Sequence, residues 1–211
     1  MNKGAVVLDF DGTIADAEEA FIAIYKSLVV SYKLPELNRK DYYRIRKGSP
    51  RDIMRWSGIK FWQIPRLVRI GRIEYKKHID SIRLFKNMPK VIKELSKDKD
   101  VYILSSNDNK TVKKILKNNK LDAKVTILTA SSLFGKDKAL KRLLKKHKYS
   151  ANKSWMIGDE ARDIEAGKKA RMKTIGVTWG LQGREGIKRS DPDHIATRPE
   201  QILYFIARQD N

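Results

Sequence analysis

Two hydrophobic periods divide the chain. Ala5-Val6-Val7-Leu8 is a short, unbroken apolar run rich in β-branched residues, the pattern of a strand buried on both faces of a parallel sheet. From about Ala15 the period lengthens. Phe21, Ile24, Tyr25, Leu28, Val29 and Tyr32 recur at i, i+3, i+4 spacing and predict a helix, which residues 33–38, containing Pro35, bring to an end. A further helix is expected from Asp41. Another is expected at Ser49-Pro50, where serine can cap and proline suits the first turn. One or two more should occupy 61–83 around Leu67, Ile70, Ile73 and Tyr75. No strand pattern interrupts this stretch, so residues 16–85 read as a helical insertion.

From Pro89 onward strand and helix patterns alternate. Val91, Ile92 and Leu95 mark a helix, 101–104 a buried strand, Val112, Ile115 and Leu116 a helix, and 125–128 a short strand. A helix over 136–148 leads to the strand Trp155-Met156-Ile157 and another helix after Asp163. Strands follow at 174–178 and 194–196, then a closing helix at 199–207. Such alternation implies right-handed parallel crossovers. The expected fold is therefore α/β, a doubly wound parallel sheet built from residues 1–15 and 86–211, with an α-helical domain, 16–85, inserted after the first strand.

That first strand runs into Asp9-Phe10-Asp11-Gly12-Thr13. In an open α/β sheet the ligand crevice lies at the carboxyl ends of the strands. Carboxylates at i and i+2 point to one side there, so Asp9 and Asp11 can converge, and Gly12 lets the backbone turn beside them. One acid of such a pair can attack an electrophile covalently while its neighbour handles a proton. Two ionised carboxylates so close repel, so a cation or a retained proton must intervene, and oxygen-only ligation favours a hard cation such as Mg²⁺. The same residues also read as a polar strand-to-helix turn with Thr13 or Asp16 as helix cap. An EF-hand fits less well, because a strand precedes Asp9 and the glycine stands at the fourth place of the loop. Two later strand ends carry complementary groups: Ser105, Ser106 and Asn107 at one, Asp159 and Asp163 at the other. With a lysine, these are what phosphoryl transfer through an aspartate requires.

The four segments together resemble the haloacid dehalogenase superfamily, in the branch similar to phosphoglycolate phosphatases with a small helical cap. Asp9 through Thr13 match its first motif, Leu104-Ser105-Ser106-Asn107 the second, Phe134-Gly135-Lys136 the third and Gly158-Asp159 through Asp163 the fourth. The resemblance implies a Rossmann-like core, with residues 16–85 as the cap. It implies Asp9 as nucleophile and Mg²⁺ ligand. Asp11 would be acid and base, with its main-chain carbonyl on the metal. Ser105 would bind phosphate, with Asn107 beside it, Lys136 would hold nucleophile and phosphate together, and Asp159 would complete the metal shell with Asp163 in support. Ser106 in place of Ser105, and Lys138 in place of Lys136, remain open alternatives. An acid at position 11 argues against carbon–halogen cleavage, since members of the superfamily that perform it lack one there. In the cap, Arg44, Arg46, Lys47 and Arg51 around Gly48-Ser49-Pro50 are candidate substrate contacts. Trp56, Trp62 and Tyr75 are expected to form cap core.

Composition narrows the choice of partner. With 41% hydrophobic and 34% charged residues the 211-residue chain has a globular composition, and no stretch approaches the roughly 18 apolar residues of a membrane span. The absence of cysteine excludes disulfides, thiolate zinc sites and a cysteine nucleophile. The N-terminus enters the first strand at once, leaving no room for a signal peptide, so a cytoplasmic location is expected. The net charge of +21 raises nucleic acid, an anionic membrane surface or anionic small substrates as partners. The insertion is barely richer in positive charge than the chain average. Over 136–148 the lysines avoid the Ala139, Leu140, Leu143, Leu144 stripe and read as a solvated face. The resemblance of the four motifs implies a Mg²⁺-dependent phosphatase for a small phosphorylated substrate, a phosphate monoester such as phosphoglycolate, ahead of a nucleotide or nucleic-acid-end phosphatase, a phosphomutase, or a non-catalytic binding module. The oligomeric state is left open.

Overall fold

Val6, Val7 and Leu8 are all but inaccessible to solvent, as a strand with sheet neighbours on both sides and helices on both faces must be. In the computed structural model, residues 3–38, 40–42, 50–130 and 135–208 are described, the side chains at 50, 51 and 53 excepted. The chain runs β1 (Ala5–Asp9), β2 (Ala15–Asp16), α1 (Glu18–Tyr32), α2 (Pro50–Ser57), α3 (Ile64–Lys77), β3 (Arg83–Leu84), α4 (Met88–Asp98), β4 (Asp100–Ser105) and α5 (Asn109–Asn118). It continues through β5 (Val125–Thr129), α6 (Lys136–His147), β6 (Trp155–Gly158), α7 (Ala161–Lys169), β7 (Lys173–Val177), α8 (Gly183–Arg189), β8 (His194–Ala196) and α9 (Glu200–Ala207).

Six strands form one parallel sheet in the order β5-β4-β1-β6-β7-β8. Its order departs from β1 in both directions, so the switch point lies at β1 and β6, where an open α/β sheet forms its ligand crevice. Alternation along the strands splits the core into two layers. Val6, Leu8, Val101 and Ile103 pack with Met88, Val91 and Ile92 of α4, Val112 and Ile115 of α5, and Ile202 and Ile206 of α9. Val7, Tyr102, Leu104 and Met156 pack with Leu140 and Leu143 of α6 and Ala166 of α7. Each such side chain removed from water contributes about 1.5–3 kcal/mol. The α/β, Rossmann-like parallel sheet expected from the sequence is the observed one.

The entry to the helical segment differs from expectation. The predicted helix from about Ala15 begins at Glu18, because Ala15 and Asp16 pair antiparallel with Leu84 and Arg83. This two-residue ribbon brings together the points where the chain leaves for the helices and returns from them. Glu18 and Glu19 then occupy the first turn of α1, where negative charge complements the helix dipole. The helix expected at 61–83 is a 3₁₀ turn, Phe61–Gln63, followed by α3, which packs on α1. Trp62, expected in the core of this segment, is 76% exposed on that turn, whereas Trp56 is half-buried and stacks on Tyr25 at 6.0 Å. A short turn too small to bury its own side chains leaves Trp62 outside the α1–α3 contact. Among the described residues no helix is long and apolar enough to cross a membrane.

Helix α7 approaches the sheet so closely that a Cβ at Gly167 would lie 2.7 Å from Thr174 Cγ2 and 2.9 Å from Met156 Cβ. Alanine is favoured over glycine in a helix by about 1 kcal/mol, but overpacking a tight core costs about 1–3 kcal/mol. Gly167→Ala should therefore lower the chemical-denaturation midpoint with the m-value unchanged. A raised midpoint would show that the strands yield to the extra methyl.

Candidate active site

The carboxyl ends of β1, β4 and β6 lie side by side, so the polar groups that follow them meet. Asp9, the last residue of β1, is buried and receives a hydrogen bond from Lys136 Nζ at 2.6 Å on Oδ1. Lys136 opens α6 and is 5% exposed. Its ammonium also bonds Asp163 Oδ1. Asp163 is turned toward the strand ends by a reciprocal cap: at the third position of α7, its Oδ2 accepts the Glu160 N–H at 3.2 Å. Arg162, next to it, pairs with Glu160 at 2.6 Å instead.

Asp159, wholly buried after β6, accepts from Thr13 Oγ1 at 3.0 Å and from the Leu181 N–H at 2.8 Å. Thr13 therefore serves as a donor to this acid and not as a helix cap. Gly12 sits at φ 82°, and a Cβ there would fall 2.2 Å from Asp159 Oδ2. Only glycine both adopts that conformation at no steric cost and lets the loop pass the acid.

Asp11 stands at the lip of the crevice, half-buried. Asn107 Nδ2 donates to its Oδ2 at 2.9 Å, and the Tyr75 hydroxyl, from α3, donates to its Oδ1. Ser105 ends β4, is fully buried, and accepts the Asn107 N–H at 3.0 Å. Ser106 is half-buried, and its carbonyl accepts from Arg72 Nη2 at 2.8 Å.

Electrostatics follow from this crowding. Burial pushes the Asp9 carboxyl up, and Asp163 adds to it, against the pull of Lys136 and Arg162. Burial raises Asp11 to about 6 despite the donors Tyr75 and Asn107. Asp159 is held well above the carboxylate range by burial, then by Glu160, Asp9 and Asp163. Burial alone would lower Lys136, but Asp163 and Asp9 outweigh it and keep the ammonium charged. The Tyr75 hydroxyl, buried beside Asp11, is pushed far above its ordinary range and keeps its proton.

The model of the family described as haloacid dehalogenase-like hydrolase matches residues 6–177, which span β1 to β7. The chain belongs to the haloacid dehalogenase-like hydrolase family. A phosphoglycolate phosphatase of Synechococcus elongatus is 26% identical over 206 residues, covering 97% of each chain. The pyrophosphatase PpaX of Bacillus mycoides is 24% identical over 99% of both. Among solved structures, a predicted phosphatase from Clostridium acetobutylicum has a TM-score of 0.80 at 17% identity, covering 99% of this chain and 100% of that one. A haloacid dehalogenase-like hydrolase from Streptococcus pneumoniae has a TM-score of 0.78 at 23% identity, covering 96% and 98%.

In this hydrolase the fold brings together Asp9, Asp11, Ser105, Asn107, Lys136, Asp159 and Asp163. Of the paired alternatives, Lys136 reaches Asp9, while Lys138 is exposed, since i and i+2 point to different sides of a helix. Ser105 rather than Ser106 presents a buried side-chain oxygen at the strand end. Phe134, Arg44, Arg46, Lys47 and the Gly48-Ser49 turn lie outside the described residues, as does the side chain of Arg51. Three groups escaped sequence reasoning: Tyr75, Arg72 and the Leu181 N–H. Tyr75 occupies an apolar-stripe position of α3, so only the use of its hydroxyl distinguishes it from core.

The family implies a divalent cation, and the donor set fits one. Carboxylate oxygens of Asp9, Asp159 and Asp163, all buried, lie within 4.8 Å of one another. Lys136 offsets part of that charge, and among the described residues Asp159 has only neutral donors as hydrogen-bond partners. Oxygen ligands of this kind suit Mg²⁺.

A carboxyl raised in the folded state stabilises at low pH and loses that contribution as pH climbs through its folded value. The metal-free protein should therefore lose stability as pH rises from about 4 through about 6, where Asp11 titrates, and about 7, where Asp9 does, with the raised Asp159 acting in the same direction. At pH 8, Mg²⁺ at a hundredfold excess over its Kd should restore about 2.7 kcal/mol. Thermal melts with chelator and with Mg²⁺ check this. Asp159→Asn should raise the metal-free melting temperature at pH 8 and abolish the Mg²⁺-induced rise; a variant that still responds to Mg²⁺ would place the cation elsewhere.

Proposed function

We propose that this hydrolase is a Mg²⁺-dependent phosphatase that cleaves a small phosphate monoester, phosphoglycolate being the leading case, by phosphoryl transfer to Asp9. One observation carries the reading. The Asp9 carboxylate is pinned through one oxygen by the buried Lys136 at 2.6 Å, and no described residue donates to its other oxygen. A nucleophile so oriented can attack an electrophile seated in the crevice without first reorganising.

In this mechanism an Asp9 oxygen forms a bond to phosphorus as the bond from phosphorus to the ester oxygen breaks. Asp11 gives its proton to the departing alcohol. The resulting Asp11 carboxylate then takes a proton from the water that attacks the phosphoaspartyl group, releasing phosphate and regenerating Asp9. Ser105 and Asn107 hold phosphate oxygens, and Lys136 spans nucleophile and phosphate. Asp9, Asp159 and the Asp11 main-chain carbonyl would hold Mg²⁺, with Asp163 in support, and the cation would supply positive charge against the phosphate. Residues 16–85 act as a cap over a core of 1–15 and 86–211, excluding water during transfer. The likeness to phosphoglycolate phosphatase over 97% of the chain supports the ester reading. The likeness to a pyrophosphatase over nearly the whole chain supports pyrophosphate as a second candidate.

Phosphate release from phosphoglycolate, sugar phosphates, nucleotides, pyrophosphate and an aryl phosphate decides between them. Mg²⁺-dependent release should fall to background in Asp9→Asn. Ser105→Ala should lower kcat by about 10²-fold, the cost of one donor to developing charge. Release that persists in Asp9→Asn would remove the phosphoaspartyl mechanism, and the ranking of esters against pyrophosphate would choose the substrate.

A further inference from the structure

Arg72, Tyr75 and Lys76 stand at i, i+3 and i+4 and so share one face of α3. Each reaches a different group of the crevice. Arg72 Nη2 donates to the Ser106 carbonyl at 2.8 Å, the Tyr75 hydroxyl to Asp11 Oδ1, and Lys76 pairs with Asp108 at 2.9 Å. The helix thus docks across the loops that follow β1 and β4. Tyr75 is 2% exposed, and its ring packs beside Phe21 of α1 at 6.0 Å.

The hydroxyl matters because of what else holds Asp11. Asn107 Nδ2 fixes Oδ2 at 2.9 Å. The terminal torsion of an aspartate is broad and two-fold, so a carboxylate held by one donor can still pivot about it. A second donor on the other oxygen, from a different element, removes that freedom. A phenylalanine would fill the same volume and make the same ring contact. The buried hydroxyl is therefore a polar group with one described partner, and that partner is the carboxylate.

We infer that Tyr75 is a positioning residue: its hydrogen bond, together with that of Asn107, fixes the Asp11 carboxyl group for proton delivery to the leaving group. This rests on the phosphatase reading above. A cleft of about 140 Å³ beside the pair is lined by Phe21, Ile24, Val68 and Gly71, with Tyr75 and Asn107. A leaving group standing there borders Tyr75 and Asn107, the two residues that hold Asp11. In the step concerned the Asp9–phosphorus bond forms, the ester bond to phosphorus breaks, and the proton on Asp11 passes to the ester oxygen. Tyr75 keeps its own proton throughout. It acts only on where Asp11 stands, and a misplacement of about 1 Å at a reacting group costs about 10²-fold.

The test is Tyr75→Phe, with kcat/KM measured for two esters on the same sample. One is para-nitrophenyl phosphate, whose leaving group departs without a proton. The other is the alkyl phosphate that the native protein turns over fastest. Because both values come from one preparation, their ratio does not depend on the fraction folded. For the alkyl ester kcat/KM should fall about 10-fold or more, with kcat carrying the loss and KM little changed, while the aryl ester stays within about threefold. An equal fall with both esters, or no fall with either, overturns the inference, since ring packing alone survives in phenylalanine. A native protein that releases phosphate from neither ester overturns the phosphatase reading, and this inference with it.

Discussion

Buried negative charge at one end of a parallel sheet is the constraint on which the rest of the site depends. Asp9, Asp159 and Asp163 are removed from water within a few ångströms of one another, and burying an unpaired carboxylate costs more than any single hydrogen bond returns. Lys136 answers part of that charge by bridging Asp9 and Asp163. Removing one partner of a buried ion pair typically costs about 3–5 kcal/mol. The start of α6 is thereby tied to the end of β1 and to α7. Apolar residues of similar volume would hold the same elements together without the repulsion, so stability alone does not account for the arrangement.

Strand ends were legible from sequence and side-chain partners across elements were not. The six strands of the parallel sheet announced themselves as short runs, and polar residues at the end of a run could be placed at the crevice because the fold class sets where strands end. Asp9 needed nothing further, whereas Ser105 and Ser106 could be told apart only by where β4 ends. Lys136 required knowing which turn of α6 faces the sheet, a question between i and i+2 that the heavy lysine content of the helix obscures. Tyr75 was unreadable for a different reason. Its periodicity is that of core, and it is core, but it carries a hydroxyl that meets Asp11, a residue sixty-four positions away. The start of α1 was misplaced because a two-residue ribbon has no pattern of its own: Ala15–Asp16 is strand only by virtue of Arg83–Leu84.

The overall charge acts on a different scale from the site. Exposed pairs such as Lys76–Asp108, Lys97–Glu94 and Lys114–Asp80 hold their partners weakly and are screened by salt. A net charge of +21 therefore adds little to stability and opposes compaction through self-repulsion. What it does produce is a long-range field that draws anions toward a protein whose crevice is locally acidic. The two signs do not conflict. An anion attracted over distances near the Debye length, about 8–10 Å at ordinary ionic strength, meets at the crevice the lysine and the hydrogen-bond donors.

Two glycines, Gly12 after β1 and Gly180 after β7, let the strand-end loops meet. A Cβ at Gly180 would lie 2.2 Å from the Gly12 carbonyl oxygen and 2.4 Å from Asp159 Cβ, and one at Gly12 would strike the Asp159 carboxylate. Two loops from opposite parts of the chain thus close on one acid, bringing the Leu181 N–H and the Thr13 hydroxyl to its two oxygens. An acid held by backbone and a short side chain cannot swing away when its charge changes. That rigidity is what an oxygen-ligand site for a small cation demands, and only residues without a side chain permit the backbone to approach closely enough to supply it.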